Sequence, residues 1–391
     1  MVLNWIPRLA FARSNAAPRG DILIVVFLRG AADALNMLVP HGEEAYYRLR
    51  PTLAVQRPDD TRAPAAERST DLDGFFGLHP ALGALLPAWQ ARHLAIVQAC
   101  GAPDESRSHF RAMELMERGV DDERGPGTGW IGRHLALTQS VMPSPLRAVA
   151  IGEMAPRSLM GSVPVNALRS IAEAHLGAGE TKTRRLQTAL AGLYRGSTTG
   201  EETLRVMRAL ERIDPSAPAA NGARYSSTEF GHGLRQAALL VKADIGLEVA
   251  ALDLGGWDTH FAQTAQLDRL LRDLAEGLAA LHRDLYDQMS RVTVVCVSEF
   301  GRRAAENGSL GTDHGHGGLM LLLGGHVRGG RLHGAWPGLG EGQLVGPGDL
   351  AVTTDYRDVL GELCATRLRN PALDVIFPGY TVKPRGVFEP G

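Results

Sequence analysis

The sequence has little of three features that would narrow its class. Only three cysteines occur in 391 residues, Cys100, Cys296 and Cys364, and their odd number and wide spacing argue against a disulfide framework. The apolar runs have the length of strands and are too short to span a bilayer. Basic and acidic residues nearly balance, at 41 and 43, and no basic stripe is present. Charge therefore gives no reason to expect nucleic acid as a partner.

Residues 1–20 lack an apolar stretch of signal-peptide length, although they contain the small-residue patch "SNAAP", which is typical of the region before a cleavage site. We interpret them as an N-terminal tail, either the remnant of an export signal or an ordinary tail. The hydrophobic content of 44% is enough for a large core. A chain of this length allows one large α/β domain or two smaller ones, and we predict a single domain over residues 21–391.

Near-continuous apolar runs predict the strands of that domain. Runs of this kind are typical of strands covered on both faces, as in a mostly parallel sheet. The predicted strands are 21–28, 93–99, 146–151, 247–254, 291–298 and 319–323.

Helical patterns alternate with these strands, among them 79–93 and 264–289. The alternation predicts an α/β fold in which helices sandwich a doubly wound, mostly parallel sheet. The segment 155–245 breaks the rhythm with helical patterns such as "TKTRRLQTALAGLYRG" and "EETLRVMRALERI". We interpret it as a helical insertion that caps one edge of the sheet.

Polar clusters follow four of the predicted strands, and a fifth cluster, "GTDHGHGG", precedes the last strand. In open α/β sheets, ligands bind at the carboxyl ends of the strands. The clusters should therefore converge on one crevice, and the fifth loop should fold back to reach it. Their members are Arg29, Asp33 and Asn36; Asp104, Ser106, Arg107, Ser108 and His109; Asp258 and His260; Glu299, Arg302 and Arg303; and Asp313, His314 and His316.

The acidic and imidazole side chains in these clusters are of the types that bind zinc, manganese or similar divalent ions, and glycine lets the backbone wrap an ion. This set of side chains could hold one ion or two. Two ions would stabilise the attacking and the leaving oxygen of a displacement reaction at phosphorus or sulfur. The candidate ligands are Asp33, Asp258, His260, Glu299, His314 and His316.

Each motif also has a purely structural interpretation. "GGWDTH" alone could be a turn with Trp257 in the core, "RGAADALN" a helix start capped by Asp33, and "SEFGRR" a strand end followed by surface arginines. "GTDHGHGG" fits packing least well, because a glycine loop with two histidines seldom serves packing alone.

Helical periodicity begins near His109, which places Ser106 or Ser108 at a helix N-terminus. Free N–H groups at such a position favour an anion. Plain capping is one interpretation. The other is a serine nucleophile, with Arg107 binding the transferring group and His109 beside it, and the two serines are equal candidates.

Five segments, "FLRGAADALNMLVP", "DESRSHFRAMELMERG", "LDLGGWDTH", "SEFGRRAAENGSLGTDHGHGG" and "TTDYRDVL", resemble the bacterial family called domain of unknown function 1501. That family is placed in the alkaline-phosphatase and sulfatase superfamily. The resemblance implies an alkaline-phosphatase-like fold with a divalent-metal site (Zn, Mn, Ca or Mg) at the carboxyl edge of the sheet. It matches Asp33 to the first metal ligand and Ser106 or Ser108 to the nucleophile. Asp258 with His260, and His314 or His316, match the later ligands.

The sequence departs from the superfamily at Glu299-Phe300-Gly301, where an Asp-His pair followed by glycine is common. Phenylalanine cannot bind a metal, so the departure argues against a full two-metal site and is compatible with a one-metal site or a decayed one. Relatives often carry twin-arginine export signals, which implies a periplasmic or exported protein, although no such signal is visible here.

Three functions follow from these observations. The first is a metal-dependent hydrolase of small-molecule or glycan phosphate or sulfate esters. The second is a non-catalytic metal-binding or scaffold protein that keeps the fold, and the third is a metal-free serine hydrolase that uses Ser108. The absence of a G-x-S-x-G elbow around either serine counts against the third.

Overall fold

The apolar runs form the strands of a central sheet in the computed structural model, which describes residues 21–138, 144–174 and 198–390. The predicted strands are found within a few residues of their expected bounds. The strands are β1 (Ile22–Leu28), β2 (Leu38–Val39), β3 (Thr70–Asp71), β4 (Gly77–Leu78), β5 (Leu94–Gly101), β6 (Ala148–Ile151), β7 (Asn166–Leu168), β8 (Val249–Leu254), β9 (Val292–Val297), β10 (Gly318–Gly324), β11 (Leu332–His333) and β12 (Thr354–Asp355).

Within the described residues, nine strands form one sheet with the order β11-β5-β10-β9-β1-β8-β6-β7, and β12 also pairs with β5. Strand β1 is parallel to both β8 and β9 at the centre, whereas β10 runs antiparallel to β9 and β5. The predicted α/β class with a mostly parallel sheet is confirmed. Strands β2, β3 and β4 form a separate small antiparallel sheet.

The antiparallel direction of β10 corrects one expectation. The residues before β10 do not have to fold back to reach the crevice, because the amino end of an antiparallel strand already lies beside the carboxyl ends of its neighbours. The loop of residues 311–317 therefore starts at the correct edge of the sheet.

Helices cover both faces of this sheet. The described helices are α1 (Ala34–Met37), α2 (Glu44–Leu49), α3 (Leu86–Gln90), α4 (His109–Arg118), α5 (Trp130–Leu137), α6 (Ile171–Ala174), α7 (Thr198–Leu210), α8 (Glu229–Lys242), α9 (Gln263–Asp284), α10 (Tyr356–Thr366) and α11 (Leu373–Ile376), with 3-10 turns at Ala65–Glu67, Pro80–Leu85, Arg157–Leu159 and Tyr286–Arg291.

The alternation of side chains along β1 shows why two layers form. Ile22, Ile24 and Val26 pack into the cluster that contains α8 and α9. Leu23 and Val25 pack into the cluster that contains α5 and α10. Successive side chains of a strand point to opposite faces, so a continuous apolar run fills two cores.

Two predicted helices are shorter than expected. The pattern over 79–93 becomes the 3-10 turn Pro80–Leu85 followed by α3, because Pro87 lacks an N–H donor and suits only a first helical turn. The pattern over 264–289 ends as α9 at Asp284 and continues as a 3-10 turn. Within the described residues, no helix has both the length and the apolar character needed to cross a membrane.

The segment 155–245 contains helices α7 and α8, and it also contributes β7 at the edge of the sheet. The predicted helix at 181–196 lies outside the described residues. Cys100 and Cys296 are buried and free, which confirms their interpretation as small core residues.

Candidate metal centre

The sheet brings side chains from distant parts of the sequence to one edge. The loops after β1, β8 and β9 and the first residue of α4, which follows β5, meet the loop that precedes β10. His109, Asp258 and His314 converge there, with one ligand atom from each lying within 4.8 Å of the others.

A single oxygen, Asp258 Oδ1, is at the centre of the group. His314 Nε2 and His260 Nε2 each lie 3.0 Å from it, and His109 Nε2 lies 3.4 Å from it. His260 Nε2 is also 2.9 Å from His314 Nε2. Three imidazole nitrogens therefore face one carboxylate oxygen, and we call these four residues the imidazole cluster.

The opposite nitrogens of two rings show which atoms carry protons. His109 Nδ1 donates to Glu299 Oε1 at 2.7 Å, and His314 Nδ1 donates to the carbonyl of Arg107 at 2.9 Å. In neutral rings this leaves both Nε2 atoms with lone pairs that point at Asp258. Metal-binding histidines are commonly oriented in this way, by an acceptor on the nitrogen that does not bind the ion.

This donor set fits a divalent ion. His109 Nε2 is buried and has no hydrogen-bond partner among the described residues. Lone pairs on two nitrogens and one carboxylate oxygen repel one another unless a cation or a proton lies between them. Two imidazoles with a carboxylate are typical ligands of zinc and related ions.

Charge around Asp258 keeps this carboxylate ionised. Partial burial raises its pKa, but the polar neighbours His314 and Arg302 outweigh burial and lower the pKa to about 2. The hydrogen bond to Glu299 raises the pKa of His109, whereas burial lowers the pKa of His314. Asp258 is thus an anion at any ordinary pH and ready to bind a cation.

Arg302 is not a surface arginine, and that structural interpretation of "SEFGRR" is wrong. Its side chain is fully buried, and Nη2 donates to Asp258 Oδ1 at 2.7 Å. The same guanidinium donates to the carbonyls of Gly30, Ala31, Trp257 and Thr312. One arginine therefore fastens three loops of the cluster together, because its five N–H groups point in fixed directions.

Glycines let these loops approach closely. A Cβ on Gly30, which has a φ of +116°, would lie 2.6 Å from the backbone nitrogen of Asp258. A Cβ on Gly311 would lie 2.3 Å from the backbone of His260. The glycines of "GTDHGHGG" thus allow backbone to pack on backbone and bring His314 to His260.

Asp313, from the same loop, lies behind His260. Its Oδ1 is 3.6 Å from His260 Nδ1 and accepts a hydrogen bond from Asn307 at 3.0 Å. That hydrogen bond lowers the pKa of Asp313. His260 therefore has a carboxylate beside the nitrogen that faces away from Asp258.

The remaining predicted ligands lie outside the cluster. Glu299 is buried behind His109, and its Oε1 also accepts from the N–H of Gly30 at 2.9 Å. His316 Nε2 donates to the carbonyl of Ala102 at 2.8 Å. Phe300 packs beside the cluster, with its ring centroid 5.0 Å from that of His109.

Asp33 belongs to a different group. It occupies the position before α1 but makes no capping hydrogen bond with its side chain. Its Oδ2 accepts from Arg50 Nη1 at 2.6 Å and from Gln263 Nε2 at 2.5 Å. We call Asp33, Asn36, Arg50 and Gln263 the guanidinium network.

The two candidate nucleophiles lie on the segment that leads into α4. Ser108 is exposed at the N-cap position, and its hydroxyl does not cap the helix. Ser106 Oγ accepts a hydrogen bond from the N–H of Ser108 at 3.2 Å. The guanidinium of Arg107 pairs with the buried carboxylate of Asp349.

Sequence reasoning missed Arg50, Gln263, Asn307 and Asp349. Arg50 follows an ordinary surface-like segment and Gln263 opens an amphipathic helix, so neither carries a local signal. Asn307 lies in "AAENGSLGTDHGHGG", and an asparagine so near the histidines could have drawn notice.

A family model described as "Protein of unknown function (DUF1501)" matches residues 21–362. The chain belongs to the DUF1501 family. The family expected from the motifs is thereby confirmed, while its relation to the alkaline-phosphatase and sulfatase superfamily stays a prediction. No curated protein matches this DUF1501 chain.

Some solved structures resemble the DUF1501 chain at low identity. The C-terminal periplasmic domain of EcEptC from Escherichia coli, in complex with Zn, has 8% identity and a TM-score of 0.40, covering 97% of this chain and 92% of that one. Phosphonate monoester hydrolase of Agrobacterium radiobacter has 11% identity and a TM-score of 0.36, covering 93% and 79%. Alkaline phosphatase from the Antarctic bacterium TAB5 has 10% identity and a TM-score of 0.30, covering 78% and 91%. At these TM-scores, inference about function rests on the side chains of the DUF1501 chain itself.

Proposed function

We propose that the protein is a metal-dependent hydrolase of phosphate or sulfate esters and that its ion is held by His109, Asp258 and His314. The observation that carries the proposal is the meeting of two oriented imidazoles with an ionised carboxylate at the carboxyl edge of the sheet. His260 offers a third nitrogen, and thus a fourth ligand atom, 3.0 Å from Asp258 Oδ1.

A divalent ion bound there would polarise an ester oxygen and lower the pKa of a nearby hydroxyl. This mixture of nitrogen and oxygen donors suits zinc or manganese, whereas calcium and magnesium prefer sites made of oxygen ligands alone. Glu299 and the carbonyl of Arg107 would keep His109 and His314 in the tautomers that leave Nε2 free.

His260 and Asp313 form a pair that can hold a proton at the edge of the site. When His260 Nε2 carries no proton, its Nδ1 does, and Asp313 Oδ1 lies 3.6 Å away to stabilise it. His260 is partly exposed, so a proton can also pass from this pair to water. We assign the pair the role of donating a proton to the leaving alcohol and then taking up a proton from water.

We propose Ser108 rather than Ser106 as the nucleophile. Ser108 directly precedes His109, is exposed and leaves its hydroxyl uncommitted at the start of α4. Ser106 Oγ is held by the N–H of Ser108. The first N–H groups of α4 would face an anion bound at Ser108 and stabilise its negative charge.

A non-catalytic metal-binding protein is the second candidate function, and one observation favours it. Arg107, which could bind the transferring anion, is paired with the buried carboxylate of Asp349. If that pair persists when substrate is present, Arg107 is not free to hold a phosphate or sulfate group.

Metal analysis and turnover assays separate these functions. Purified protein should contain a divalent ion that is lost in His109→Ala and His314→Ala variants. It should also hydrolyse at least one of an aryl phosphate, a phosphodiester and an aryl sulfate. Ser108→Ala should reduce turnover to background while keeping the ion, and Ser106→Ala serves as the matched control that stays active.

Other results would favour different functions. Full metal content without turnover of any of these esters favours the non-catalytic function. Turnover without any metal, abolished by Ser108→Ala, favours the metal-free serine hydrolase. Export to the periplasm and a small-molecule or glycan ester substrate stay predictions.

A further inference from the structure

The guanidinium network bears on how many ions the protein holds. Asp33 and Arg50 are both buried, with 1% and 0% of their side chains exposed, and they form an ion pair of 2.6 Å. Asp33 comes from the end of β1, where the sequence predicts a metal ligand. A buried carboxylate needs a positive partner, and here the chain supplies one itself.

Arg50 is held in place from every side. Nη1 donates to Asn36 Oδ1 at 2.7 Å in addition to Asp33, Nε donates to the carbonyl of Ala304, and Nη2 donates to the carbonyl of Arg303, each at 2.9 Å. Because the guanidinium of Arg50 cannot lose its proton in a protein, its positive charge faces Asp33 permanently.

Gln263 binds the same oxygen of Asp33 in a fixed orientation. Its Nε2 donates to Asp33 Oδ2, while its Oε1 accepts from Thr259 Oγ1 at 3.0 Å and from Thr312 Oγ1 at 2.7 Å. The two hydroxyls determine which end of the amide faces Asp33. Asp33 Oδ1 has no hydrogen-bond partner among the described residues, but one oxygen does not make an ion site.

Glu299, another predicted ligand, is also committed to hydrogen bonds. Glu299 accepts from the N–H of Gly30, from His109 and from Ser298 Oγ at 3.2 Å. Phe300 packs with Ala31 and Ala112 in a small apolar cluster next to His109. Next to the imidazole cluster, Glu299 is thus occupied by hydrogen bonds, and Phe300 presents an apolar surface that cannot bind an ion.

We infer that the protein holds a single divalent ion and that Arg50 supplies, as a fixed guanidinium, the positive charge that a second ion would otherwise bring to Asp33. The inference rests on the imidazole cluster proposed above as the site of that ion. Arg50 and Gln263 are positioning residues, since they orient Asp33 without touching the ion. Arg50 joins the residues after β1 to those after β9, and Gln263 joins them to the loop after β8.

Metal stoichiometry tests this inference without an assay of activity. Protein stripped with a chelator would be titrated with Zn²⁺ and with Mn²⁺ by calorimetry, and bound metal would be counted by elemental analysis after gel filtration. We expect one ion per chain. A plateau at two ions per chain would overturn the inference.

The double variant Asp33→Asn/Arg50→Met removes both charges of the pair together while nearly keeping its volume, so that neither charge is left unpaired. It should bind one ion with a Kd within about threefold of the wild type, because neither residue touches the ion. A tenfold change in Kd would correspond to about 1.4 kcal/mol. Near-ultraviolet circular dichroism would verify its fold. A tenfold or greater loss of affinity in the folded variant would show that Asp33 takes part in binding and would overturn the inference.

His109→Ala is the matched control and should bind no ion. The two proposals fail in different ways. Wild-type protein that binds no ion overturns both the metal-dependent function and this inference. Two ions in the wild type, of which the double variant keeps one, would overturn only the inference.

Discussion

The imidazole cluster and the guanidinium network lie on adjoining loops and use similar residue types in opposite ways. In the network, the carboxylate of Asp33 meets a buried arginine at 2.6 Å. In the imidazole cluster, the carboxylate of Asp258 is 47% exposed and is faced by imidazoles as well as by Arg302. One group contains the cation it needs, and the other has room for a cation from solution.

The difference follows from burial. A buried arginine and carboxylate must satisfy each other, because no water or ion can reach them at low cost. Asp258 is open to solvent, so the carboxylate and the neighbouring nitrogens can take up an ion or protons from solution. The comparison teaches that carboxylates at the same edge of a sheet can serve stability in one case and binding in the other.

The largest effect we expect comes from breaking the guanidinium network on one side. Arg50→Met should destabilise the protein by about 3–5 kcal/mol, because it leaves the carboxylate of Asp33 buried without its partner. Chemical unfolding of metal-free protein monitored by circular dichroism would measure the change.

The matched variant on the other side of the comparison is His260→Ala. His260 is partly exposed, so the free energy of unfolding of metal-free protein should change by less than about 1 kcal/mol. The double variant Asp33→Asn/Arg50→Met should recover most of the stability lost in Arg50→Met. Equal losses in Arg50→Met and His260→Ala would remove the distinction between the two groups.

An intermediate effect is the loss of stability at acidic pH. Metal loss from the imidazole cluster can be interpreted only in the pH range where the protein stays folded. His134 in α5 is buried and accepts a hydrogen bond from Asn370 Nδ2 at 3.1 Å, and burial lowers its pKa from 6.5 to about 4. The unfolded chain therefore takes up this proton at a higher pH than the folded chain. Stability should fall by up to about 3 kcal/mol as the pH drops from 6.5 to 4, at about 1.4 kcal/mol per unit.

Urea unfolding at a series of pH values would measure that slope. His134→Gln keeps an acceptor for Asn370 but cannot be protonated, so its curve should be flatter between pH 6.5 and 4. If the variant has the same slope as the wild type, another group is responsible for the sensitivity to acid.

Glu299→Gln tests metal binding rather than stability, which sharpens the comparison within the imidazole cluster, and should have a smaller effect than Arg50→Met. Glu299 orients His109 but does not face Asp258. Neutralising it should weaken metal binding about 10–100-fold, or about 1.4–2.7 kcal/mol, as is usual for a residue that orients a ligand. Calorimetric titration with Zn²⁺ would measure the change in Kd.

His316→Gln provides the control for that titration. His316 comes from the same glycine loop as His314, but its ring binds the carbonyl of Ala102. Its substitution should leave the affinity unchanged. A larger effect from His316→Gln than from Glu299→Gln would mean that the ion lies elsewhere on the loop.

The strands and the meeting of their polar ends could be predicted from the sequence, because continuous apolar runs and the position of polar residues after them are local patterns. The direction of β10 could not, because its residues read the same in a parallel or an antiparallel strand. The same limit applies to Arg302, whose burial depends on carbonyls of Gly30 and Trp257 that are distant in sequence.

By itself, the sequence determined the family, the α/β class and the set of side chains from which a metal centre could be built, since these depend on residue types and their order. Only the tertiary structure decided how that set divides. It places Asp258, His260 and His314 with His109 and gives Asp33 to Arg50. The physical reason is that a carboxylate's role depends on the partner and the solvent within a few ångströms of it, and the folded chain alone brings them together.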